Sequence, residues 1–220
     1  YVREYEVMRG DEHVFVLCHT KLITLANGDR VSLTSVMNIT ENKKFEQRLL
    51  VQSRMDALTK ICNRGYGEAQ IEKLLKAKKN GMFLLFDVDK FKHINDTYGH
   101  LAGDKVIKMV ASIDDKFARA HGGFACRYGG EEFLLVLPGY DETQALPILE
   151  EMHKEIQTTI VQYDDKEIPV NVCIGLSAYP TICRDTNILV NRADKSMYYG
   201  KKHGRGRLVV DNPAVDDMQS

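Results

Sequence analysis

The sequence predicts an α+β fold, a mixed central β-sheet covered by helices, preceded by a short antiparallel β meander and a linker helix. Three observations carry this. Met82 to Phe86 is a continuous apolar run, as a strand buried on both faces requires. Phe124-Ala125 and Phe133 to Leu137 flank Arg127-Tyr128-Gly129-Gly130-Glu131-Glu132, which reads as a β-hairpin with its tip at the two glycines. Helical stripes separate and follow these segments: Val106, Val110, Ile113 and Phe117, then Ala145, Leu149, Met152, Ile156 and Ile160. A hairpin inside an alternation of strands and helices makes the sheet mixed.

Taken in order, residues 3–8, 13–24 and 30–38 alternate in β fashion around the turns Arg9-Gly10-Asp11 and Asn27-Gly28-Asp29. About forty residues of meander cannot bury a stable core alone. Thr40 is a candidate N-cap for a charged helix reaching Met55, with Phe45 and Leu49 four apart. That helix reads equally as a solvated linker and as a relay of rotation between paired chains. Residues 65–79 carry Ile71, Leu74 and Leu75 on one helical face and stop at Asn80-Gly81. Ile168, Val170, Val172, Ile174, Leu176 and Ala178 alternate with smaller or polar residues, which predicts one long strand with one buried face. Residues 186–200 form a helix and Leu208-Val209-Val210 a last short strand. The expected boundaries are a meander over 1–40, a linker helix over 41–56, the α+β domain over 57–212 and a flexible tail over 213–220.

At 220 residues, 44% hydrophobic and 28% charged, the chain has a soluble protein's composition. A net charge of −1 argues against bulk nucleic-acid binding and against contact with an anionic membrane, so a polyanionic ligand needs locally placed cations. The five cysteines (Cys18, Cys62, Cys126, Cys173, Cys183) are scattered without a C-x-x-C, which suits a reducing cytosol and gives no zinc site. No apolar run is long enough to span a bilayer. Beginning at Tyr1 without Met, the chain reads as a piece of a longer protein.

The candidate chemistry starts where strand 82–86 ends, in Asp87-Val88-Asp89 followed by Lys90-Phe91-Lys92. Acids there are exposed at the sheet rim, and Mg²⁺ favours such hard oxygen donors completed by water and phosphate. With the hairpin alongside, Asp87 and Glu131 face each other across the strand pair. Glu131 and Glu132, as neighbours on a strand, point to opposite faces and do different jobs. The two glycines before them allow positive φ and clear the way for a ligand. Asn95 and Asp104 bracket a turn and offer the donors and acceptors a guanine edge needs, although Asp104 equally suits the N-cap of a helix over 104–119. Lys201-Lys202-His203-Gly204-Arg205-Gly206-Arg207 is either a triphosphate clamp or a cationic helix C-terminus.

Arg127 to Phe133 resembles the GGDEF signature in its GGEEF form. The likeness runs from Asp56-Ala57-Leu58-Thr59 and Asn63-Arg64 through Asp87-Val88-Asp89, Phe91-Lys92, Asn95-Asp96, Gly99-His100 and Gly103-Asp104. It continues in Ala193-Asp194-Lys195, Met197-Tyr198, Lys201 and Gly204-Arg205, with every spacing in order. The chain is therefore similar to diguanylate cyclases, which share a palm-like fold and condense two GTP into cyclic di-GMP with release of two pyrophosphates. The resemblance implies Asp87, the Val88 carbonyl and Glu131 as ligands for two Mg²⁺ per active site, with Mn²⁺ as a substitute. It implies Glu131 as catalytic base with Glu132 in support, Asn95, Asp104 and nearby His100 at guanine, and Lys92, Lys201 and Arg205 at the phosphates. It also implies a homodimer during turnover, an upstream sensor domain and a cytoplasmic location, alone or as the cytoplasmic part of a membrane-attached protein.

Met37-Asn38-Ile39-Thr40-Glu41-Asn42-Lys43 resembles the close of a PAS sensor domain, with Asn38 where Asp is usual. Lys60 and Gly206 stand where the cyclase family has Gly and Asn. The family's inhibitory Arg-x-x-Asp falls on Ala120-His121-Gly122-Gly123, so no primary product-inhibition site is expected. The competing expectations are a cyclase making mixed cyclic GMP-AMP, which Asp104 disfavours, and a catalytically silent GGDEF domain that binds GTP or dimerises as a regulatory module.

Overall fold

The structure, a computed structural model, describes residues 1–179 and 185–211; Cys183 and the tail predicted over 213–220 lie outside the described residues. The chain divides into two units, Tyr1–Ser53 and Arg54–Ser220. Among the described residues no helix is long and apolar enough to cross a membrane.

The first unit is an antiparallel meander of β1 (Val2–Arg9), β2 (Glu12–Thr24) and β3 (Arg30–Asn38), followed by α1 (Thr40–Gln52). Gly10 and Gly28, at φ 64° and 88°, supply the left-handed turns that the Gly-Asp pairs predict. Thr40 is not the N-cap. Its hydroxyl accepts the Phe15 N–H at 2.9 Å, which commits it to β2, while Ile39 holds the cap position and Asn38 Oδ1 takes the Thr40 N–H. The helix predicted to reach Met55 ends at Gln52, where the Ser53 hydroxyl donates back to the Leu50 carbonyl at 2.8 Å. Phe45 and Leu49, the pair four apart, stay exposed.

The second unit holds β4 (Cys62–Asn63), α2 (Arg64–Lys76), β5 (Gly81–Val88), α3 (Phe91–Tyr98), α4 (His100–Ala120), β6 (Phe124–Arg127), β7 (Glu132–Pro138), α5 (Glu142–Thr158), β8 (Val161–Tyr163), β9 (Lys166–Ile168), β10 (Val172–Tyr179), α6 (Thr186–Lys202) and β11 (Leu208–Val210). Six strands form a mixed sheet in the order β11-β10-β5-β7-β6-β4, with β10–β11 and β4–β6 parallel and the other pairs antiparallel. β5 is buried along its whole length. Its Met82, Leu84, Phe86 and Val88 join the core made with α4 and α5, through Val106, Val110, Phe117, Leu149 and Ile156. Phe83 and Leu85 join the opposite core, made with Ile71 and Leu75 of α2 and Leu189, Ala193 and Met197 of α6.

Three expectations change. The long strand over 168–178 is broken: Ile168 closes the small hairpin β8–β9, Pro169 has no N–H for a ladder, and pairing resumes with β5 at Val172. β10 is buried on both faces, and its small alternate residues Cys173, Gly175 and Ser177 face α6 rather than solvent. A Cβ at Gly175 would collide with the Ala193 carbonyl, so glycine sets how closely α6 lies on the sheet. Cys62 and Cys126 meet in register across β4 and β6, with Cα atoms 4.4 Å apart, and are joined as a disulfide. Their separation of 64 residues hides this in the sequence, because they meet only once the sheet has formed.

Asp114 of α4 is fully buried, and neither carboxylate oxygen has a hydrogen-bond partner. Burial, reinforced by the charge of Asp115, pushes its pKa well above the carboxylate range. The folded state then keeps a proton that the unfolded chain releases near its ordinary pKa of about 3.9. Stability linked to this group is therefore full below that pH and is lost as pH rises toward the folded-state value. Replacing Asp114 with Leu should stabilise the protein at pH 8 by about 1–3 kcal/mol, the penalty of an unsatisfied buried polar group. In urea titrations the gain should shrink toward pH 4; an equal gain at both pH values would contradict this account.

Candidate active site

The acids at the end of β5 meet the β6–β7 turn. Period-two alternation puts Asp87 on the α2/α6 side of the sheet, and its register partner across the strand pair is Glu132. Glu131, expected opposite Asp87, lies one residue further out in the turn, where its carbonyl accepts the Val88 N–H at 3.1 Å. Because Glu131 is outside the strand, the strict opposite-face rule does not separate it from Glu132. Lys201 Nζ, from the last turn of α6, is 2.9 Å from Asp87 Oδ1. Gly129 and Gly130 do not use positive φ. At Gly129 the requirement is space, since a Cβ there would collide with the Glu132 carboxylate.

Burial first, and then the charge of Asp87, raises the pKa of both Glu131 and Glu132. Burial also raises Asp87, against the opposing pull of Lys201. Lys201 acts on all three carboxylates, Arg205 also acts on Asp87 and Arg64 on Glu132, yet each pKa is raised, a crowding of like charge that a divalent cation would relieve. Among the described residues no three His, Cys, Asp or Glu side chains form a ready-made ligand cluster. The donor set fits Mg²⁺, which takes one or two carboxylates and completes its shell with water and phosphate oxygens.

At the α3–α4 junction the Asn95 side chain meets α4 at Gly103, the residue before Asp104. Asp104 is not an N-cap: α4 begins at His100 after Gly99, at φ 88°, and Asp104 sits inside the helix with its carboxylate half-buried. A Cβ on Gly103 would collide with Asn95 Oδ1, so the Asn95 carboxamide rests against the α4 backbone beside Asp104. Lys92, in the first turn of α3, and His100 are exposed.

Asp89, expected at the exposed rim, is buried at 8% exposure. Its Oδ2 accepts the Gly206 N–H at 2.8 Å, its Oδ1 accepts the Cys173 thiol at 3.2 Å, and Arg205 Nη1 lies 3.5 Å from Oδ1. Burial, and then Asp89, pushes the Cys173 thiol up to about 11, so it stays a proton donor at neutral pH. Asp89, Lys90, His93, Tyr98, Asn171 and Arg205 line part of a cleft of about 540 Å³. On the other side of the sheet, Arg64, Tyr128, Glu132 and Asp194 border a cavity of about 310 Å³.

Two further supports were not singled out from the sequence. Arg127 donates from Nη2 to the Gly130 carbonyl at 2.7 Å and pairs with Asp56 at 3.2 Å, while Asp56 Oδ1 accepts the Thr59 N–H and hydroxyl. Burial works against the Asp56 charge, but Thr59 and Arg127 together hold its pKa below the usual range. Tyr128 donates to Glu68 at 3.0 Å under the Arg64 guanidinium, and burial with Glu68 pushes its phenol up to about 12. The available signal was an Asp and an Arg in two separate motifs, which only the folded chain pairs.

A family profile described as "Diguanylate cyclase, GGDEF domain" matches residues 53–207. Diguanylate cyclase A of Treponema denticola is 39% identical over 133 residues, 60% of this chain and 36% of that protein. Diguanylate cyclase DgcM of Escherichia coli is 34% identical over 189 residues, 83% of this chain and 44% of that protein. This chain thus spans less than half the length of either relative. The coiled coil and GGDEF domain of DgcB from Caulobacter crescentus, solved in complex with c-di-GMP, superposes with a TM-score of 0.71 at 26% identity over 78% of this chain and 93% of that one. The profile match, the ordered motifs and the shared fold together establish that the chain belongs to the GGDEF-domain diguanylate cyclase family.

Proposed function

We propose that the second unit is a diguanylate cyclase domain that condenses two GTP into cyclic di-GMP and two pyrophosphates, at a site shared by two facing copies. The observation that carries this is the meeting of Asp87, Glu131 and Glu132 with Lys201 at one end of the sheet. In this reading Asn95 and Asp104 take the guanine edge, with His100 beside them, and Lys92, Lys201 and Arg205 hold phosphate oxygens. Glu131 accepts the proton of the attacking 3′-hydroxyl and Glu132 supports it. The 3′-oxygen of one nucleotide bonds to the α-phosphorus of the other as the bond to pyrophosphate breaks, and the step is repeated in the opposite sense. Asp87, the Val88 carbonyl and Glu131 would hold Mg²⁺, two ions per site. Bound Mg²⁺ supplies Lewis acidity that eases loss of the hydroxyl proton and offsets charge on the phosphates.

Each domain reads one base, so turnover requires a homodimer, and an upstream sensor region acting through α1 would control the encounter. Because GTP is the substrate, the domain works in the cytoplasm. Family membership supports the GTP reading, as does the placement of the Asn95 carboxamide against Gly103, next to Asp104.

With GTP and Mg²⁺, Glu131→Gln should lower kcat by about 100-fold or more, the usual scale for losing a general base. Its melting temperature should hold or rise, because one of the crowded acids is gone. Retained turnover in that variant would mean that Glu131 is not the base.

In Gly103→Ala the new methyl group must displace the Asn95 carboxamide. The KM for GTP should rise about tenfold, roughly the value of a bidentate base contact. An unchanged KM in the folded variant would mean that Asn95 does not read the base.

At the positions of the family's inhibitory motif, His121 caps α4 and packs edge-on against Tyr140, and a Cβ at Gly123 would collide with the Val136 carbonyl. Titrating cyclic di-GMP should leave initial rates unaffected by any site at residues 120–123. Hydrogen-exchange protection of that segment by the product would refute this.

A further inference from the structure

The strongest unassigned feature is the set of groups around Asp89. Arg205 lies in a loop whose backbone is left-handed at three consecutive residues, with φ 118° at Gly204, 63° at Arg205 and 53° at Gly206. For a residue with a Cβ, such as Arg205, that conformation is strained and persists only where the surroundings impose it. The surroundings are visible on both sides. The Arg205 N–H donates to the Gly200 carbonyl at 3.0 Å, which ties the loop to the end of α6, and the Arg207 carbonyl accepts the Ile174 N–H at 2.9 Å, which ties it to β10. Between these ties the loop is held to the end of β5 by one side chain, Asp89, through the Gly206 N–H and the Arg205 guanidinium.

The same carboxylate also accepts from the Cys173 thiol, so both oxygens are engaged by protein donors. Asp87 differs: its one direct ion pair is with Lys201, the charge of Arg205 reaches it only at longer range, and burial together with the charge of Asp89 pushes its pKa up. The two acids of the Asp87-Val88-Asp89 segment therefore have separate work. We propose that Asp89 is a positioning residue: it fixes the 204–206 loop and aims the Arg205 guanidinium at the nucleotide phosphates, without itself contacting metal or substrate. The proposal rests on the reading of Arg205 as a phosphate-binding group.

The test uses the full chain with GTP and Mg²⁺, together with calorimetric titration of a non-hydrolysable GTP analogue. Asp89→Asn keeps an acceptor for Gly206 but loses the charge that orients Arg205, so KM and analogue Kd should rise about tenfold with kcat within about twofold. Arg205→Ala should raise KM at least as much. Adding Asp89→Asn to Arg205→Ala should change nothing further, because one residue acts through the other. Asp89→Glu keeps the charge and moves it by one methylene. It should raise KM about threefold with kcat held, and it carries the test if thermal melts show the Asn variant unfolded.

An unchanged KM in a folded Asp89 variant overturns the proposal, and so do effects of the two single variants that multiply in the double. A loss of kcat of about 100-fold or more at unchanged KM also overturns it, since that is the mark of a group acting at the reacting atoms. If the wild-type chain binds the analogue but forms no cyclic di-GMP, the functional reading fails and the analogue Kd values still decide the role of Asp89. If the wild-type chain binds no analogue, both fall.

Discussion

The structure depends on finding partners for carboxylates at the end of a strand that has no wet face. β5 is buried throughout, yet the chain leaves it through Asp87 and Asp89, which are 7% and 8% exposed. An uncompensated charge at such a depth costs several kcal/mol, so partners must be brought from elsewhere in the fold. Apart from the Cys173 thiol of β10, they come from one neighbour, α6 and the loop after it. Helix α6 lies close on the sheet because Gly175 leaves room for the Ala193 carbonyl, and its last turn then delivers Lys201 to Asp87. A few residues later the same segment delivers Arg205 and the Gly206 N–H to Asp89.

The two acids end in different electrostatic states. Asp89 accepts from a backbone amide and a thiol and pairs with a guanidinium, which makes it a fixed part of the scaffold. Asp87 has one direct ion pair, with Lys201, and stands beside Glu131 and Glu132, each of which it makes harder to ionise. The surplus of negative charge is thereby confined to one side of the strand end. A cluster that is short of cations invites a divalent ion and the phosphates that come with it, whereas a satisfied cluster serves to hold a loop.

Much of this was legible in the sequence. Met82 to Phe86 had no polar position to offer solvent, so a doubly buried strand followed, and Gly129-Gly130 between two apolar runs marked the hairpin. Features carried by non-local contact were not legible. Asp56 and Arg127 pair across 71 residues, and Cys62 and Cys126 across 64. Helix starts were misread where a side chain had a better partner: the Thr40 hydroxyl serves β2, and Asp104 lies inside a helix that Gly99 begins. Small residues in β10 looked like a solvated face because the sequence does not say that a helix backbone lies against them. The glycines of the signature were expected to supply backbone freedom, and at Gly129 the actual demand is room for Glu132.

The placement of the polar groups also bears on why the proposed reaction needs two copies. Asp87 and Glu132 project to the α2/α6 side of the sheet, whereas Asn95 rests on α4, whose core lies on the other side. A ligand that reaches both must lie across the strand end, with a base at one extreme and charged oxygens at the other, which is the layout of a nucleoside triphosphate. In the proposed reading Asn95 and Asp104 form a single base-reading pair, so that one domain would hold one such nucleotide. A product with two identical phosphodiester bonds requires each nucleotide to act once as nucleophile and once as electrophile. Two equivalent half-sites related by a two-fold axis meet that demand with no further residue types, because every group that serves one bond is repeated by symmetry for the other.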